Sequence, residues 1–376
     1  MKVRHRFLPL AGFVALTTLA TFPASAAEYN IVMINGLTNV FAFAGVPLGN
    51  GAKLAVDHIN ASGELGAGNK IVFRMEDTGG DRAQAVTLVT KFGNDPSNLV
   101  MLGPLTTNEV TAAGPVLAEV KIPELVVAQD IQQITPFIFP IVESPQAFMP
   151  KIAQFAVDKL GVKRCAFITN GENQGLVLNR DIARDYMKGR GTTIVADELV
   201  KSADTDYSAI STKIVAANPD CISLSLTPAP AANVVIQLRQ AGLGSNVKII
   251  GSTGIASPAF IKAGGKAVEG AYAVTEFNPP GATEQARAFT KAYTERYGSE
   301  PDSWAAIGYA EVQLAASAIV RAGPTPTREK IREALAQTKD VPIVLGTGKI
   351  TMNPERKAQF GLSIVEVKDG KYTIVP

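Results

Sequence analysis

The sequence predicts an α/β protein of two doubly wound domains, each a parallel sheet with helices on both faces. Three observations carry that expectation. Short apolar runs alternate with amphipathic ones from residue 29 onward, the βαβα rhythm of a parallel sheet. The rhythm pauses at 137–145, resumes, and pauses again at 274–280. The chain has 376 residues, more than one hydrophobic core comfortably organises, even when 26 are set aside as an export leader.

In the first domain, residues 29–34, 71–76, 98–102 and 124–128 read as strands, because each is a short β-prone run bounded by Gly, Pro or Asn. Ala52, Ala55, Val56 and Ile59 recur at i, i+3, i+4 and i+7 and so place one apolar stripe on a helix; Ala85, Val86, Val89 and Phe92 form a comparable stripe. In the second domain, residues 165–169, 192–195, 220–226 and 247–251 read as strands. Helical patterns separate them at 148–160, 177–189 and 231–242. Beyond the second pause come amphipathic runs at 284–297, 303–322 and 327–338, then short strands and turns from 346 to the end. No tandem repeat of solenoid period appears, although the two halves repeat one architecture.

Residues 1–26 read as a signal peptide. Lys2, Arg4, His5 and Arg6 form a positive start, 7–19 an apolar run too short to span a bilayer, and Ala24-Ser25-Ala26 a small-residue cleavage signal. A retained signal anchor is the alternative. No cysteine lies near the cleavage signal, so the residue a lipoprotein acylates is missing. The expected location is the periplasm. Cleavage removes three cations and no acid, which takes the formal charge from +2 to −1. That balance argues against a nucleic-acid partner. Beyond the leader no apolar run approaches the roughly 20 residues of a membrane-spanning helix.

The residues of a catalytic constellation are scarce. Past the leader the one histidine is His58, which sits beside Asp57 on the first helical stripe and reads as part of a solvated face. There is no G-x-S-x-G elbow and no Walker or dinucleotide glycine fingerprint. Gly242 and Gly244 follow a helical pattern and read as a helix C-terminus. No cofactor or metal is implied. Cys165 and Cys221 both lie in buried-strand patterns, and free thiols are expected over a disulfide because bridging neighbouring parallel strands strains its geometry. Binding without chemistry is the better expectation.

Several stretches together resemble the type I periplasmic solute-binding proteins of ABC transporters, in the leucine/isoleucine/valine-binding branch. They are Gly51-Ala-Lys-Leu-Ala-Val-Asp-His-Ile-Asn60, Glu76-Asp77 with Asp81 and Ala83-Gln-Ala-Val86, Met101-Leu-Gly-Pro104, and Leu238-Arg-Gln-Ala-Gly-Leu243. The resemblance covers essentially all of residues 27–376. It implies two lobes joined by three crossovers: 27–145 in lobe one, 146–276 in lobe two, 277–347 back in lobe one, and 348–376 back in lobe two. It also implies a ligand in the interlobe cleft, closure by a hinge, delivery to a membrane permease, and a monomer. A sensor acting on a regulatory partner is the alternative on the same fold.

The family's pocket, carried onto this chain, implies that Thr106, Thr107 and Asn108 and the segment Ala128, Gln129 and Asp130 hold a ligand carboxylate. Thr107 is the expected hydroxyl donor, and Thr107 or Asn108 also suits a helix cap. The family's acidic and tyrosine partners for an α-ammonium correspond here to Thr253, Gln174 and Thr227. A buried ammonium would lack its partner there. Asp130 stands where a small hydroxyl residue is usual, and suits either an ammonium or a ligand hydroxyl. Phe43 and Trp304 supply aromatic surface, although Trp304 also fits a core position. The implied ligand is a small carboxylate, either an aromatic acid or a hydrophobic amino-acid-like molecule.

Overall fold

The computed structural model describes residues 1–3, 26–128, 131, 133–278 and 281–375. Nearly all of the expected leader, together with Gln129 and Asp130, lies outside the described residues. The first lobe runs β1 (Glu28–Asn35), α1 (Ala42–Ser62), β2 (Lys70–Asp77), α2 (Arg82–Gly93), β3 (Asn98–Leu102), α3 (Thr107–Val120), β4 (Glu124–Val126) and β5 (Ile138–Pro140). Its strands form one parallel sheet in the order β2-β1-β3-β4-β5. Both faces are covered, so strand residues pointing either way are buried, as Ile31, Val32, Met33 and Ile34 are.

The second lobe runs α4 (Pro145–Asp158), β6 (Arg164–Asn170), α5 (Gln174–Gly189), β7 (Thr193–Val200), α6 (Ser208–Ala216), β8 (Cys221–Ser225), α7 (Pro228–Gln240), β9 (Lys248–Gly251), α8 (Pro258–Gly264) and β10 (Ala271–Thr275). Its sheet contains β7-β6-β8-β9-β10, the strand order of the first lobe repeated. The chain then returns: α9 (Glu284–Tyr297), α10 (Ser303–Arg321) and α11 (Arg328–Ala336) share the first lobe's core, with Phe289, Val312 and Leu335 buried alongside Ile31 and Val100. β11 (Val341–Pro342), β12 (Lys349–Met352) and β13 (Ala358–Gln359) make a small antiparallel sheet. Finally β14 (Ser363–Lys368) and β15 (Lys371–Ile374) extend the second sheet antiparallel to β10.

The last passage between lobes falls later than the turn near 347 suggests. Ile350, Met352, Ala358 and Phe360 pack in the first lobe's core, whereas Leu362 and Ile364 pack in the second's. The first and third passages are tied to each other, and the second is tied to the turn at 346. The Glu143 carboxylate accepts from the Phe360 and Gly361 amides at 2.9 and 2.6 Å, and the Gly346 amide donates to the Glu276 carbonyl at 2.9 Å.

Local sequence misjudged some elements. α1 begins at Ala42, well before the Ala52 stripe, and runs through Gly45, Pro47, Gly49 and Gly51, residues that oppose helix. The end of β10 falls in the expected pause at 274–280; Ala271–Ala273 pair with β9 and Tyr272–Thr275 with β14, which no single-segment pattern reveals. Cys165 and Cys221 are register partners on β6 and β8. Both are buried free thiols with Sγ atoms 3.0 Å apart, and burial pushes the Cys165 thiol well up.

Candidate ligand-binding site

In a sheet of order 2-1-3-4-5 the connections leaving strands 1 and 3 part to opposite faces, which opens a crevice beyond their C-terminal ends. Here that crevice lies beyond β1 and β3 in the first lobe and beyond β6 and β8 in the second. The two open toward one another. The turns after β1 and β3 bring Phe41, Phe43, Leu105 and Thr106, and those after β6 and β8 bring Asn173 and Thr227, to one interlobe cleft.

Polar side chains and one glycine hold these turns. After β1, Asn35 accepts from the Gly36 amide and donates to the Gly45 carbonyl, both at 2.9 Å, which fixes where α1 starts. Asp77 accepts from Leu37 N and Gly79 N at 2.8 Å and Thr38 Oγ1 at 2.7 Å; these donors outweigh burial and hold its carboxyl below the usual range. After β3, Gly103 has φ +86°, and a Cβ there would lie 2.0 Å from the Ile34 carbonyl oxygen. Only glycine suits that turn. After β6, Asn170 binds the Glu172 amide and the Ser202 hydroxyl, both at 2.9 Å.

The cleft has two compartments. An outer mouth of about 660 Å³ carries two charged side chains among its described lining, Arg82 and Glu172. Beneath it lies an inner chamber of about 100 Å³. Phe43, Thr106, Thr107, Ala128, Thr227, Thr253 and Trp304 all line the chamber. No titratable side chain appears among its described lining residues. Phe43 and Trp304 meet edge to face, with centroids 6.0 Å apart and planes at 81°, so they form a corner. Trp304 is both pocket wall and half-buried against the core.

The structure corrects the helix cap and places Asn108 and Gln174 outside the inner chamber. The helix cap is Thr106, not Thr107 or Asn108: its hydroxyl accepts from Glu109 N at 3.2 Å, while its amide and hydroxyl donate to Glu109 Oε2 at 2.9 and 2.8 Å. Its polar groups are thereby committed to the helix. Asn108 spans the mouth: its Nδ2 donates to the Glu172 carbonyl at 3.0 Å, and its Oδ1 accepts from the Gln174 amide at 3.5 Å. Gln174 itself is exposed and lines neither compartment, because it opens α5 one residue beyond the cap Asn173. Sequence reasoning missed Asn179 and Ser252, which line the chamber. His58 lies on an exposed helix face, as read, with Nδ1 2.8 Å from the Tyr309 hydroxyl.

Asn108 thus joins the lobes directly. Asn108→Ala is expected to shift the ligand-free protein toward an open form about fivefold, the weight of roughly 1 kcal/mol of hydrogen bonding. Small-angle scattering should show a larger radius of gyration for the variant; equal radii would remove Asn108 from the closure.

The periplasmic binding protein family model matches residues 28–371. The Leu/Ile/Val-binding protein BraC3 of Rhizobium johnstonii is 25% identical over 336 residues, 88% of this chain and 89% of that protein. A leucine-binding protein LivK from Thermotoga maritima superposes with a TM-score of 0.85 at 24% identity, over 93% of this chain and 98% of that one. A solute-binding protein of an ABC transporter from R. palustris, solved in complex with benzoate, superposes with a TM-score of 0.81 at 18% identity, covering 93% and 96%. These two structures share the two-lobed fold described above. With the family model spanning nearly the whole described chain, the protein belongs to the periplasmic binding protein family, with the type I fold.

Proposed function

We propose that this protein is the exported binding component of an ABC importer, that it encloses a small aromatic carboxylate between its lobes, and that it presents the closed form to the permease. Its family consists of solute-binding proteins, not enzymes, and works with ABC transporter permeases. No helix among the described residues is long and apolar enough to cross a membrane. Residues 1–26 direct the chain to the periplasm, where it acts as a monomer.

The observation that carries the ligand class is the chamber's lining: aromatic and aliphatic side chains, hydroxyls, and no described carboxylate. A buried ammonium without a counter-charge is strongly disfavoured. A carboxylate, by contrast, is favoured at the N-terminus of α3, where the helix dipole is positive. Because Thr106 and the Glu109 amide are committed to the capping box, this role passes to Thr107 and the Asn108 amide. Phe43 and Trp304 offer a ring one face and one edge. The same fold, in the R. palustris protein, holds benzoate.

The test is calorimetry with benzoate and with leucine, alongside fluorescence of Trp304, the one tryptophan in the chain. Benzoate is expected to bind more tightly than leucine. Thr107→Ala is expected to weaken benzoate by about ten- to a hundredfold, the value of roughly 1.5–3 kcal/mol for a hydrogen bond to a charged group. Tight leucine binding with indifference to benzoate would overturn the reading, and unchanged affinity in the variant would remove Thr107 from the site.

A further inference from the structure

We propose that the inner chamber recognises a neutral hydroxyl at the end of the ligand remote from its carboxylate, with Asn179 and Ser252 as the specificity-determining residues. This rests on the ring-acid reading above and adds to it the substituent that the second lobe selects.

Three polar atoms of the chamber's walls are buried and without a partner: Asn179 Oδ1, Ser252 Oγ and Trp304 Nε1. Asn179, on α5, is 2% exposed, and Ser252, just past the end of β9, is fully buried. Folded proteins rarely leave such groups unmet, and a ligand that supplies the missing partners gains what their burial forfeits. Their chemistry is specific. The Asn179 amide oxygen only accepts, the Trp304 indole only donates, and the Ser252 hydroxyl does either.

A ligand group that donates to Asn179 and accepts from Trp304 or Ser252 must do both at once. A hydroxyl does. A second carboxylate accepts only, which leaves Asn179 unmet, and an ammonium donates only and finds no described charge partner in the lining. Asn179 and Ser252 both belong to the second lobe, across the cleft from the α3 N-terminus that faces the carboxylate. A hydroxylated ring acid therefore spans the chamber, its carboxylate on lobe one and its hydroxyl on lobe two, and closure is rewarded only when both ends are present.

The experiment titrates the whole protein with benzoate, 3-hydroxybenzoate, 4-hydroxybenzoate and leucine by calorimetry. One of the two hydroxylated acids is expected to bind at least about thirtyfold more tightly than benzoate, since a site built around a hydroxyl discriminates strongly against the analogue lacking it. Asn179→Leu and Ser252→Ala should each remove most of that preference, bringing the hydroxylated acid to within about threefold of benzoate in the same variant. Ser252→Ala, the smaller change, serves if Asn179→Leu fails to fold. Benzoate bound as tightly as either hydroxylated acid would overturn this inference and leave the ring-acid reading standing, as would a preference that survives in both variants. Leucine bound with none of the three acids would overturn both.

Discussion

Gly308→Ala is expected to cost about 3 kcal/mol and to lower the melting temperature by roughly 6–12 °C. Helices α1 and α10 cross so closely that a Cβ at Gly308 would lie 1.9 Å from the Leu48 carbonyl oxygen and 2.7 Å from its carbon. Gly51 is the reciprocal contact, where a Cβ would lie 1.9 Å from the Ala305 carbonyl oxygen. Both obstacles are backbone, so no side chain can swing aside; the helices must part. Phe43 and Trp304 sit at the starts of these two helices and form the corner of the chamber, so the variant should also bind its ligand more weakly. Gly51→Ala opens the same crossing, and the double variant should lose less than the two single losses combined. A Gly308→Ala protein that melts within about 2 °C of wild type would show that the crossing yields more easily than its geometry indicates.

The second large effect is a fall in stability as pH rises from about 4.5 to about 7. Glu276, at the second passage between lobes, is 4% exposed. Burial first, and the nearby Glu143 carboxylate second, push its carboxyl up to about 7 from an ordinary 4.5, while Ser303 Oγ, 3.4 Å away, partly offsets the shift. Below about 4.5 both folded and unfolded chains hold the proton, and the contribution is fully present. Between there and about 7 the unfolded chain gives up its proton while the folded one keeps it, so rising pH favours unfolding. At about 1.4 kcal/mol per pH unit the loss is on the order of 3 kcal/mol. Burial raises Glu124 and Glu311 as well, and these act in the same direction. Melting followed from pH 5 to 8 should show the decline in wild type and a flatter profile in Glu276→Gln, the two proteins converging at the acid end. Parallel profiles would exclude Glu276 as a source of the slope.

Much of the architecture was legible in local pattern. Strands 98–102 and 247–251 show as short β-prone runs closed by turn residues, and the helix at Glu284–Tyr297 shows through its period. Phe43, Thr107, Thr227, Thr253 and Trp304 were reachable because the family resemblance carries its pocket onto these positions, and all five line the chamber. Asn179 left no such trace. It lies one turn inside a helix, where its polarity suggests a solvated face, and it reaches the chamber only because α5 lies across the cleft from α3.

Residue pattern by itself determined the class: two doubly wound domains, a leader-like start, and no G-x-S-x-G, Walker or dinucleotide fingerprint. Those properties depend on periodicity, turn chemistry and composition, which are local or additive along the chain. Tertiary structure alone decided that the glycine- and proline-containing first half of α1 is helix. There the poor helix formers are what permits contact with α10 and with the turn after β1, where a Cβ at Gly45 would lie 2.0 Å from the Gly36 carbonyl oxygen. It also decided that the last passage between lobes follows Phe360, that Thr106 serves the helix while Asn108 spans the mouth, and that three residues with buried, unpartnered polar atoms line one chamber. Each depends on segments far apart in sequence meeting at atomic contact, and the energy of that meeting outweighs the fraction of a kcal/mol per residue by which local propensity speaks.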